Sequence, residues 1–186
     1  YELGLDWALI SVILTVAVLE YTIHEFSAVI QPIQRRFTSS SLAAHNRAFI
    51  AFYIRQVVLF ALVATFTSVA VYWGMRWLGA PGRLPRIGGV FSDWTTVHVF
   101  FVGVASYSLL ALGLMNAVIL FFLSRPRAAL IGLMAGLIGG IAVGYAASRA
   151  EGAWLSAFGL LVGTGGFAAC TVIAGIRAVR NMDYYY

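Results

Sequence analysis

Glu20, His24, Ser27 and Gln31 recur at i, i+4, i+7 and i+11, the spacing that lines residues along one face of a helix, and Glu25 sits about 100° to the side. A carboxylate beside an imidazole can hold a proton or a cation near neutral pH. The residues around them are apolar, so the group falls where the chain should still be inside lipid. A charge near the bilayer centre costs about 2.5 to 3.5 kcal/mol on insertion scales, and such a residue usually faces protein or water and has a partner.

Partners are available at a matching depth. If the segment ends near residue 30, Glu25 lies about 8 Å and Glu20 about 15 Å inside that end, at 1.5 Å rise per residue. Arg55 and Asn116 lie about 10 Å inside the same surface on two other apolar segments. Glu20, His24, Glu25, Arg55, Gln56 and Asn116 can therefore form one intramembrane cluster. Two readings of it stay open. One is a protonatable site in a hydrated cavity that couples proton or cation movement to a conformational change. The other is glue, in which Glu20 or Glu25 neutralises Arg55 and the amides hydrogen-bond between helices.

Other chemistry has less support. His24 and His98 fall at opposite ends of their segments and His45 falls in a connection, which disfavours axial ligation of a haem. No GxSxG elbow, HExxH, CxxC, phosphate loop or two-metal aspartate cluster occurs. The expectation is therefore no enzyme, no catalytic residue, no metal and no cofactor. No basic run interleaves with aromatics as a nucleic-acid groove requires. Cys170 is the only cysteine and lies in an apolar stretch, so it has no intrachain disulfide partner.

The elements that position these residues are transmembrane helices. The chain has 186 residues, 61% of them hydrophobic and 10% charged, too greasy for a soluble surface. Its mean hydropathy is +0.89. A span needs about 20 apolar residues, and five segments qualify, at about 5–30, 48–73, 94–123, 128–147 and 154–176. The expected fold class is all-α, a single polytopic bundle. Trp7, Trp73, Trp77, Trp94 and Trp154 fall at span ends, as an interfacial aromatic belt requires.

Charge orients the set. Arg35, Arg36, Arg47, Arg55, Arg125, Arg127, Arg177 and Arg180 cluster on one side, against Arg76, Arg83, Arg86 and Arg149 on the other. The positive-inside rule then places the N-terminus outside and the C-terminus in the cytoplasm. No signal-peptide pattern opens the chain, and an outside N-terminus with five spans suggests a later part of a longer polytopic protein. The stretch QPIQRRFTSSSLAAHNR reads as a helix stop near Pro32 and a turn with a new N-cap among Ser39 to Ser41. The stretch GAPGRLPRIGGVFSD reads as an irregular external loop.

Glycines recur four apart in the fourth span, at Gly132, Gly136, Gly140 and Gly144, and again in the fifth at Gly159 and Gly163. Small residues at this spacing let two helices approach closely in lipid. The stripes fit packing between these two helices, or a smooth surface along which transporter helices shift.

The order of features resembles a known family. EYTIHEFSAVIQPIQRRF closes the first span, HNRAFIAFYIRQVVLF re-enters with an arginine, LMNAVILFFLSRPRAALIGLM joins two spans, and IRAVRNMDYYY closes the last. This resembles the C-terminal half of polysaccharide exporters of the flippase superfamily that includes the multidrug and toxin extruders, especially Pel-type exopolysaccharide transporters. The resemblance implies an alternating-access exporter of a polysaccharide or lipid-linked saccharide in the bacterial inner membrane, with two bundles rocking about a cavity, often driven by a cation gradient. The Glu20 cluster and Arg55 would then line or gate the cytoplasmic mouth. Family members use about a dozen spans in two lobes, so five helices imply an upstream half or another membrane chain as partner.

A second class stands beside this one: a non-catalytic integral subunit that scaffolds a larger secretion, respiratory or photosynthetic complex. Such a subunit needs lipid-facing helices and interhelical glue but no titrating site.

Overall fold

The computed structural model describes residues 2–30, 32, 42–79, 93–150 and 153–180. These residues are almost entirely helical, with no strand among them: α1 (Glu2–Glu25) continued by a π-helical segment (Phe26–Ile30), α2 (Leu42–Leu78), α3 (Trp94–Phe122), α4 (Pro126–Ala150) and α5 (Ser156–Arg180), the last entered through a 3₁₀ turn (Ala153–Leu155). All five helices are long and apolar enough to cross a bilayer. The protein is an all-α, multi-pass membrane protein, as its composition implies.

Helix α2 is the main departure from the expected boundaries. It has 37 residues and starts at Leu42 and ends at Leu78, whereas the apolar run covers only 48–73. Nothing in LAAHNR breaks a helix, so the backbone coils before the apolar stretch begins. His45, expected in a connection, is therefore helical. Gln31, the N-cap expected among Ser39 to Ser41, and nearly all of the expected external loop lie outside the described residues.

The helices pack in the spatial order α2, α1, α3, α5, α4, with α4 and α5 the most intimate pair. Chain direction alternates, so each end of the bundle collects a distinct set of residues. At one end the starts of α1 and α3 meet, since a Cβ on Gly4 would come within 2.8 Å of the Thr96 carbonyl. There too Tyr72 of α2 lies 6.3 Å from Phe100, and His98 lies 6.0 Å from Trp154, between ring centroids. All five tryptophans belong to this end. Arg47, Arg125, Arg127 and Arg177 belong to the other.

Apolar packing supplies the core. Phe26 and Ile30 of the π segment join Phe49 and Phe52 of α2 and Met115 and Ile119 of α3 at the arginine end. Phe26 stacks on Phe122 at 4.6 Å between centroids. Midway, Val12 and Val18 meet Phe60, Ala64 and Ala111, and Phe167 of α5 packs with Ala117 and Leu120 of α3 and Ala129 of α4. Buried hydroxyls bond back to their own helix, as a dry interior requires: Ser11 to the Ala8 carbonyl, Ser106 to Val102, and Thr171 to Phe167.

The tight α3 to α4 connection is a Schellman motif. Arg125 N–H donates to the Leu120 carbonyl at 2.8 Å and Ser124 N–H to the Phe121 carbonyl at 3.0 Å, with Ser124 at φ 57° in the left-handed region. Pro126 then opens α4, where its fixed φ and missing N–H are tolerated. Asp93 caps the start of α3 by accepting from Thr95 N–H and the Thr96 hydroxyl.

Candidate functional site

Glu25 is the last residue of α1 before the π segment, and its carboxylate is clamped to α2. Arg55 pairs with Oε1, and the Gln56 amide donates to Oε2 at 2.5 Å. Gln56 is completely buried, and its Oε1 lies 3.1 Å from the Thr22 hydroxyl, which also reaches the Val18 carbonyl at 2.7 Å. Only one orientation of the amide serves both neighbours, with NH₂ toward the carboxylate and oxygen toward the hydroxyl. Thr22 and Glu25 are three residues apart on α1, so both face α2 together. This network neutralises a membrane-depth charge and gives both the nitrogen and the oxygen of the amide beside it a partner.

Asn116 makes a separate contact. It accepts from the Tyr53 hydroxyl at 2.8 Å and donates to the Leu112 carbonyl at 2.8 Å, tying α3 to α2. The six residues expected to cluster thus divide into groups. Glu25, Arg55 and Gln56 meet, and Asn116 meets Tyr53 instead.

Glu20 and His24 lie elsewhere. Both are exposed on the outer surface of α1, and neither makes an ion pair or hydrogen bond among the described residues. Ser27 bonds back to the Ile23 carbonyl at 3.0 Å. Helix α1 therefore has two polar faces, one clamped to α2 and one open. The open face offers a carboxylate and an imidazole one helical turn apart, a pair able to accept a proton or a cation.

Sequence reasoning missed Thr22 and Tyr53. A signal existed for Thr22, which shares the helical face of Glu25 at i−3. For Tyr53 there was none, because helical spacing does not say which neighbour a face meets. His98 sits among Trp94, Trp154 and Phe158 at the tryptophan end, far along the bundle from His24. Among the described residues no three of His, Cys, Asp and Glu gather as metal ligands do.

The glycines of α4 and α5 face one another. A Cβ on Gly136 would approach the Gly163 carbonyl to 2.5 Å, and one on Gly140 the Gly159 carbonyl to 3.0 Å. Gly144 stands over Gly159, and Gly132, at the far end of the stripe, stands against Cys170 and Thr171. The two backbones touch where these residues cross.

No family model, curated protein or solved structure gives a significant match to this chain. Fold and site together define a polytopic helical membrane protein with one neutralised and one open polar face at membrane depth.

Proposed function

We propose that this chain forms one helical lobe of an alternating-access exporter of a polysaccharide or lipid-linked saccharide. It sits in the bacterial inner membrane with the N-terminus outside and the C-terminus in the cytoplasm, and no catalytic step is assigned to it. The observation that carries the reading is the open face of α1. Glu20 and His24 lie at membrane depth with no partner among the described residues, while Glu25 next to them is fully paired. A carboxylate left in hydrocarbon costs about 2.5 to 3.5 kcal/mol, so this face belongs against a water-filled cavity or polar groups of another helix. A second lobe facing α1 supplies both, and the resemblance in feature order supports it. In this arrangement Glu20 and His24 couple proton or cation movement to rocking, whereas Glu25 and Arg55 hold α1 to α2.

The test is Glu20→Gln in a host whose own copy of the gene is deleted. Secreted carbohydrate should fall at least tenfold while the variant accumulates in the membrane as the wild type does. Wild-type secretion by this variant removes the coupling role.

One observation favours the scaffold reading. Only 17% of the α4 span is buried, so most of its surface, including Ile131, Ile138 and Ile141, is free for lipid or for other chains. Under that reading Glu20→Gln leaves function intact, and loss of the Glu25 to Arg55 pair lowers assembly of the parent complex on native gels.

A further inference from the structure

Near the arginine end an open cleft of about 260 Å³ separates α2 from α5. It exists because α2 packs mainly on α1 and α5 on the far flank of α3, leaving a gap between α2 and α5 over α3. Asn116 and Ile119 of α3 are at its floor, Phe49 and Ile50 on one wall, and Ile176 on the other. Gly175 lines it too, where an added Cβ would make ordinary contact with Asn116 Oδ1, at 3.8 Å. Ile50 and Ile176 are exposed at its lips, so it opens sideways to lipid.

Charge next to the lining residues selects the occupant. Arg47 precedes Ile50 by three residues on the same side of α2, and Arg177 directly follows Ile176. Both are exposed, and neither has an ion pair or hydrogen bond among the described residues. At the floor, Asn116 is turned with Oδ1 toward Gly175 and Tyr53 and its amide nitrogen toward the Leu112 carbonyl. An apolar slot with two exposed arginines beside its lining residues matches an acyl chain and a phosphate.

We infer that the α2 to α5 cleft is a binding site for an anionic phospholipid, with its acyl chain along Phe49, Ile50 and Ile176 and its phosphate between Arg47 and Arg177. The site stands whether or not the protein is an exporter. Basic pockets between transmembrane helices recognise anionic head groups in this way.

Native mass spectrometry of the protein purified from its own membrane and titrated with dioleoyl phosphatidylglycerol or dioleoyl phosphatidylcholine tests it. The wild type should retain the anionic lipid preferentially, and Arg47→Gln and Arg177→Gln should each cut that preference about fivefold. Arg127→Gln, an exposed arginine on α4 outside the cleft, should leave the preference unchanged. Gly175→Leu, which fills the slot, should lower retention of both lipids at unchanged helicity by circular dichroism. Equal retention of the two lipids by the wild type overturns the site, as does a preference that survives both cleft arginine substitutions. Retention unaffected by Gly175→Leu places the lipid outside the cleft and overturns it too.

Discussion

Arg55→Ala is expected to destabilise the bundle by about 2 kcal/mol, between the values for exposed and buried ion pairs. Its geometry is intermediate: the Glu25 side chain is 14% exposed and that of Arg55 57%. Removing the guanidinium leaves a carboxylate at membrane depth with the Gln56 amide as its remaining neighbour on α2. Glu25→Gln on top of Arg55→Ala removes the orphaned charge and should recover more than half of the loss. Unfolding in mixed micelles of increasing denaturing detergent measures all three proteins. Two results sink the argument: Arg55→Ala within about 0.5 kcal/mol of wild type, which is the range of an ordinary surface change, or simple additivity in the double variant. Additivity shows that the two side chains do not feel each other.

Gly159→Ala should do more damage from a smaller chemical change. The added Cβ would lie 2.4 Å from the Gly144 Cα, 2.6 Å from its nitrogen and 2.7 Å from the Gly140 carbonyl. All three are backbone atoms of α4, so no side chain can swing aside, and the helices must separate. Overpacking of this kind costs about 1 to 3 kcal/mol, and here the most extensive helix contact in the bundle is lost with it. Gly139→Ala is the matched control on α4, because its Cβ meets nothing within 4 Å. Helix propensity alone then favours alanine, by about 0.8 to 1 kcal/mol. The same detergent titration should move Gly159→Ala and Gly139→Ala in opposite directions. A neutral Gly159→Ala means that α4 and α5 are not held by backbone contact.

The helical class and the five spans are legible in the sequence because lipid imposes one requirement on every residue of a span, and composition records it directly. Depth is legible for a similar reason: counting residues from the span ends puts Glu25, Arg55 and Gln56 at one level, where they do meet. Azimuth is not legible. Periodicity groups Glu20 with His24 but says nothing of the neighbour that face meets, and the structure turns it outward while Thr22 and Glu25 turn toward α2. The partner of Asn116 was hidden in the same way, since Tyr53 reads as one more aromatic in an apolar run. The ends of α2 were hidden by a different fact. A helix continues until something stops it, and residues 42–47 contain polar side chains but no glycine or proline.

All five tryptophans lie at the end of the bundle away from Arg47, Arg125, Arg127 and Arg177. Intrinsic fluorescence of this protein therefore samples a single membrane face, and Trp73, Trp77 and Trp94 are at least 60% exposed there. An aqueous quencher such as iodide, confined to one side of a sealed vesicle, reaches these indoles from their own side and not from the other. The chain thus carries a native optical label for sidedness. With the N-terminus outside, iodide dims emission in right-side-out vesicles and spares it in inverted ones, and the reverse orientation exchanges the two responses.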